Sequence, residues 1–146
     1  MSTFNKITFE VIGLIEANIP TESGNVYTMD CLQQVVAQIN ANPGKITLQE
    51  MHVDEREKKG IPMYEPMQSR TMAMVMGARI NGESLDLVCE TKPSRDGKKL
   101  AGIIGSLGIG AITCIPVGFG DTTKTGSLNE VRNYLLKYVA VEPNLP

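Results

Sequence analysis

The stretch TMAMVMGARINGESLDLVCET, residues 71–91, decides how this chain is read. Apolar and β-branched residues alternate with others on both sides of Asn81-Gly82, a dipeptide suited to the positive backbone angles of a type I′ turn. Thr71 to Ile80 and Ser84 to Thr91 are therefore expected to be the arms of an antiparallel hairpin. On the first arm Met72, Met74 and Met76 alternate with Ala73 and Val75, so a row of flexible thioethers shares one face. Core packing is the commoner use of such a row; the alternative is a contact surface for another subunit.

Upstream, Ile7 to Ile15 mixes β-branched and apolar residues and reads as a strand buried on at least one face. Gly24 and Asn25 mark a turn. Thr28 can cap a helix whose first turn holds Asp30 and whose Leu32, Val35, Val36 and Ile39 recur at helical spacing, with Asn42-Pro43-Gly44 as the stop. Ile46 to His52 reads as a short strand. Residues 53–66 carry a dense run of charge and are expected to be an exposed charged loop.

Downstream, Lys98 to Leu107 reads as a short helix with Leu100, Ile103 and Ile104 inward, and Ala111 to Val117 as a strand interrupted by Pro116. Ser127-Leu128-Asn129-Glu130 has the form of a capping box and predicts a last helix with Val131, Tyr134, Leu135 and Val139 on one face. Two prolines in residues 141–146 predict an extended C-terminal tail.

A chain of 146 residues fits a single domain, 1–146. A net charge of -2 and a pI near 5.4 give no broad basic field, so neither nucleic acid nor an anionic membrane is indicated as a partner. The three cysteines, Cys31, Cys89 and Cys114, are odd in number and lack any CxxC spacing, which argues for reduced buried thiols over disulfides or zinc. No signal peptide and no apolar run of membrane-spanning length is read, so synthesis and assembly in the cytoplasm are expected.

His52 is the sole histidine, so any histidine base within one chain must be this residue. It has Glu50 and Asp54 as near neighbours in sequence, and a structural role is its commoner alternative. Cys114 and Thr113 are the nearest nucleophile candidates, on the strand after a glycine-rich segment; alternation turns them to opposite sides, so at most one can address a site. A buried core thiol beside a strand threonine is the plainer reading. Gly105 to Gly110 lacks the Lys-Ser/Thr of a phosphate-binding loop, and no cofactor or metal is expected.

The order of three segments resembles the prohead proteases of tailed bacteriophages. Gly24-Asn25-Val26-Tyr27 before a helix looks like that family's Asn-rich turn, and Leu48-Gln49-Glu50-Met51-His52-Val53 looks like its Gly-Glu-Leu-x-His-Pro motif, without the leading glycine and trailing proline. Thr91-Lys92-Pro93 leading to Gly97-Lys98 is similar to its Thr-Pro-x-Gly-Lys. Ile115-Pro116-Val117-Gly118-Phe119-Gly120 falls where the family carries Ser-Ser-Arg-Gly-Leu-Gly, so Ile115 and Pro116 stand over the two serines, and no sliding of the register places a serine there.

The similarity runs from about Ile15 to Thr122. It implies an α+β fold, a compact β-barrel-like sheet with the Asn-Gly hairpin and about three helices, of the kind shared with herpesvirus maturation proteases. It places His52 at the catalytic histidine's position and removes the serine. The expected function is a bacteriophage virion structural protein, a capsid decoration or cement subunit on an inactive protease scaffold, forming homo-oligomers, contacting capsid or other virion proteins, and using Met72, Met74 and Met76 as contact residues. The alternatives are an active maturation protease using His52 with Cys114 or Thr113, and a tail-tube or neck subunit.

Overall fold

The computed structural model describes residues 4–144. Strand β1 (Thr8–Glu16) is followed by β2 (Asn25–Tyr27), helix α1 (Met29–Ala41), β3 (Thr47–Gln49) and helix α2 (Val53–Lys59). A single 3-10 turn, Gln68–Arg70, leads into β4 (Ala73–Asn81), β5 (Ser84–Thr91) and helix α3 (Arg95–Leu107). Two long strands, β6 (Ile112–Thr125) and β7 (Leu128–Pro143), complete the chain. The sheet runs β1-β5-β4-β3-β7-β2, with β6 on the other edge of β7. It curls into a half-barrel around one apolar core.

The expected hairpin is present as β4 and β5, with Asn81 opposite Ser84. Its turn differs in type. Gly82 sits at φ +67 while Glu83 is not in the left-handed region, so the first central residue alone is positive, which is the II′ pattern. Asn81 ends the strand and Gly82-Glu83 form the loop.

Helix α1 buries Cys31, Leu32, Val35 and Ile39, each of the last three contributing about 1.5–3 kcal/mol by leaving water. It also closes a gap. Because β3 is only three residues long, β4 and β7 extend past it, and polar side chains of α1 satisfy the backbone groups it leaves. Asn40 exchanges two bonds with the backbone of Ala78, Gln34 accepts from Tyr134, and Gln38 both accepts from and donates to Leu136.

Three expectations are corrected. The last helix does not form: Ser127 lies in the turn and Leu128 onward is strand β7, antiparallel to β6 along its whole length. Two irregularities explain the helical look of its pattern. The pairing steps from Phe119↔Leu135 to Asp121↔Arg132, and from Val117↔Tyr138 to Gly118↔Leu136, so each step leaves one extra residue on β7. The first bulge holds Asn133 at φ 54 and spaces buried Val131 and Tyr134 three apart, as a helix would. Gly118 and Gly120 face these bulges where the backbone comes close: a Cβ on Gly118 would lie 2.2 Å from the Leu135 carbonyl oxygen.

Residues 53–66 are not a charged loop throughout. Val53–Lys59 is helix α2, with Gly60 at φ 67 as its left-handed stop. Its Arg56 is fully buried and fastens the segment after it: Nε donates to the Met51 carbonyl, Nη1 to those of Pro62 and Glu65, and Nη2 to Gln49 Oε1. The guanidinium lies 5.1 Å from the Tyr138 ring centre, a cation–π distance. No carboxylate pairs with it among the described residues; carbonyl dipoles take that role.

The tail expectation is met only in part by the described residues. Val141–Pro143 is the end of β7, and Asn144 is pinned by its N–H to the Ala111 carbonyl. Leu145 and Pro146 lie outside the described residues.

Candidate functional site

β3 ends at Gln49, and the chain turns sharply at His52, whose φ of 48 and ψ of 55 are left-handed. A non-glycine residue held there is backbone strain of about 1–3 kcal/mol. The turn lets α2 start immediately and brings the imidazole beside Arg70, from the 3-10 turn before β4. Arg70 Nη2 lies 3.0 Å from His52 Nδ1. The same guanidinium reaches Glu55 of α2 through Nε at 3.0 Å and Asp96 of α3 through Nη1 at 3.3 Å. Asp96 is buried in the first turn of α3, which Ser94 caps by accepting from Gly97 N–H at 3.0 Å. Four elements thus meet on one arginine.

Arginine has only donors and stays protonated, so His52 Nδ1 must be the acceptor of this bond. The neutral ring then carries its proton on Nε2, a buried atom that meets no acceptor among the described residues. In a histidine general base the roles are reversed: a carboxylate receives Nδ1–H and the Nε2 lone pair faces the nucleophile. Here neither ring nitrogen offers a free lone pair. Nearby, Lys59 donates to Glu55 Oε1 at 2.9 Å and holds that carboxyl below its ordinary range, with the charge of Arg70 adding to the effect.

The sequence candidates are dispersed. Thr113 is exposed and donates to Asn144 Oδ1 at 2.8 Å, which ties β6 to the end of β7. Cys114 packs inward against the core, where burial pushes its thiol up to about 11; Cys89, buried as well, is raised further, with Cys114 as a secondary cause. Neither residue shares a hydrogen bond with His52 among the described residues. A protonated thiol is a poor nucleophile.

Pro116 stands opposite Val139 of β7, and Val139 opposite Leu48 of β3, so Pro116 lies in the middle of the ladder beside apolar residues. The methionine row divides between the core and the flank of the hairpin. Met72 is 1% exposed and belongs to the core. Met74 and Met76 are half-buried, with sulfurs beside the turn at Gly44.

Arg70, Asp96 and Arg56 were not singled out from the sequence. The partners of Arg70 and Asp96 come from 15 to 26 residues away, and those of Arg56 are mostly backbone carbonyls, which no local pattern reveals.

A curled half-barrel sheet with α1 along its inner edge, a histidine just past a short strand and a glycine-marked strand after α3 define a prohead-protease-like α+β fold. Among solved structures, the chain is similar to the capsid assembly protease of bacteriophage T4, with a TM-score of 0.71 at 16% identity over 92% of this chain and 79% of that one. No family model matches the sequence, and no curated protein matches it.

Proposed function

We propose that this chain is a bacteriophage virion structural protein, a capsid decoration or cement subunit that uses the protease fold as a rigid module and does not cleave peptides. One observation supports the reading: Nδ1 of the sole histidine lies 3.0 Å from Arg70 Nη2, and an Nδ1 that accepts from a guanidinium is not the arrangement of a histidine base facing a hydroxyl or thiol. The chemistry of the strand that would supply that group agrees, since Ile115 and Pro116 carry no hydroxyl, Thr113 is engaged at the surface and Cys114 is a half-buried thiol held protonated by burial. Capsid proteins and further copies of this chain are the partners this reading implies.

The test combines mass spectrometry of purified particles with a His52→Ala variant of the phage. The chain is expected in mature heads, with scaffold and capsid processing unchanged by the substitution. Absence from the particle, location in the tail or neck, or loss of processing in His52→Ala would each replace this reading.

A further inference from the structure

The outer face of β6 is open. Along this strand Cys114 packs against the core and a Cβ on Gly118 would meet the buried Tyr134 side chain, so Ile115, Val117 and Phe119 share the opposite face. Over the neighbouring strand that face is covered. Tyr138 of β7, opposite Val117, lies beneath the segment that follows α2: its hydroxyl donates to the Met63 carbonyl, and Arg56 stacks on its ring. The cover stops at Tyr64, which meets the Phe119 ring edge-on with 4.8 Å between centres. Leu135, opposite Phe119, stands exposed beside them.

The result is a step: Met63 and Tyr64 form a raised edge above β7, and Ile115, Val117 and Phe119 form a floor next to it. Met63, Tyr64, Ile115, Phe119 and Leu135 are between 41% and 51% exposed and make up half of the ten large apolar side chains exposed among the described residues. Exposure gathered in one place, unlike single scattered residues, marks an interaction surface.

Its size can be set against what an association needs. With about 150–250 Å² on each aromatic side chain and somewhat less on each aliphatic one, these exposures leave roughly 400 Å² of apolar surface in water. Interfaces are about 56–65% apolar, so this patch implies about 650 Å² per partner and about 1,300 Å² in all, inside the range of specific complexes.

Charge does not select a foreign partner. The patch itself carries none, and the charged groups flanking it are matched within the chain, Lys137 with Glu65 at 3.8 Å and Asp121 with Asn133 Nδ2 at 2.9 Å. A strongly acidic or basic partner meets no free counter-charge here. A second copy brings the same step, and a two-fold axis sets raised edge on floor twice over, as a closed isologous interface requires.

We infer that two copies of this chain associate through this face, with Met63 and Tyr64 of each resting on Ile115 and Val117 of the partner subunit around a centre of Phe119 and Leu135. This names the surface by which further copies meet and needs no capsid protein, so it stands or falls apart from the virion reading. The experiment is sedimentation equilibrium of the full chain from about 1 to 500 μM, with hydrogen exchange read residue by residue at both ends of that range. A monomer–dimer equilibrium with a dissociation constant on the order of 10 μM is expected, and at high concentration amides within 63–64 and 115–119 should slow by about threefold or more. Phe119→Ser and Leu135→Ser, both at exposed positions, should each weaken association about tenfold or more, while Ile12→Ser, exposed on β1, leaves it unchanged. A chain monomeric throughout, protection confined elsewhere, growth beyond the dimer, or association indifferent to both substitutions would overturn the inference.

Discussion

Replacing Arg56 by alanine should open the segment between α2 and the 3-10 turn and destabilise the whole domain. The side chain makes four hydrogen bonds, three to backbone carbonyls of Met51, Pro62 and Glu65 and one to Gln49 Oε1. Removing it strands those acceptors and leaves space beside Tyr138, whose hydroxyl bonds to the Met63 carbonyl in the same segment. Bonds from a charged donor contribute about 1.5–3 kcal/mol each, but they share one side chain and the freed carbonyls can reach water as the segment lifts. An acceptor left unsatisfied costs about 1–3 kcal/mol, and with some of the four reaching water the expected loss is about 3–5 kcal/mol. For a chain of this size it corresponds to a fall in Tm of about 6–20 °C. Arg56→Lys should recover only part, because an ammonium cannot span four acceptors. Urea unfolding measures all three proteins, with the exposed Glu57→Ala as a control expected to shift by less than about 0.5 kcal/mol. A loss below about 1 kcal/mol for Arg56→Ala would refute the role assigned to this residue.

Other outcomes follow from the same geometry. Gly118→Ala should cost about 2 kcal/mol or more, because its Cβ would meet the Leu135 carbonyl at 2.2 Å, whereas Gly102→Ala, with open space in helix α3, should gain up to about 1 kcal/mol; thermal melts of both decide it. Gln38→Ala should lose about 1–2 kcal/mol in urea unfolding, since it removes both bonds to the Leu136 backbone. Stability should also decline between about pH 8.5 and 9.5, before tyrosine and lysine titrate. The native state keeps thiol protons on Cys89 and Cys114 that the unfolded chain releases, so the thiol contribution is complete below about pH 8.5 and for Cys114 is lost as pH rises toward about 11. The slope is roughly 1.4 kcal/mol per pH unit for each thiol, and a Cys89→Ala/Cys114→Ala double variant should flatten it; an unchanged slope would contradict the burial assigned to them.

The fold was legible in the sequence where a local signal and a tertiary role agreed. The β4–β5 hairpin and α1 are of this kind, since alternation around Asn81-Gly82 and the Leu32, Val35, Ile39 stripe each describe what the core later buries. It was illegible where tertiary structure shifted the period. β7 passes for a helix because its bulges move buried residues to three-residue spacing, and only pairing with β6 reveals the strand. α2 passes for a loop because its one buried residue is a charged one, matched by carbonyls that sequence cannot assign.

At the candidate site, sequence placed His52 at the end of a strand, whereas it lies three residues past β3, at the start of α2. What could not be read is the group that faces it. Arg70 lies 18 residues on and was unremarkable in sequence, yet it decides which ring nitrogen holds the proton. Thr113 and Cys114 were drawn in by proximity to a glycine-rich segment, but alternation sends one to solvent and the other into the core.

The most direct test is the tautomer of His52, read from ¹⁵N shifts and long-range couplings of the imidazole near neutral pH. The proton is expected on Nε2, with an unprotonated, hydrogen-bonded Nδ1 in the native chain, and that pattern is expected to be lost in Arg70→Met. A native ring protonated on Nδ1 with a free Nε2 lone pair would contradict it, and would return the histidine to the state a hydrolytic base requires.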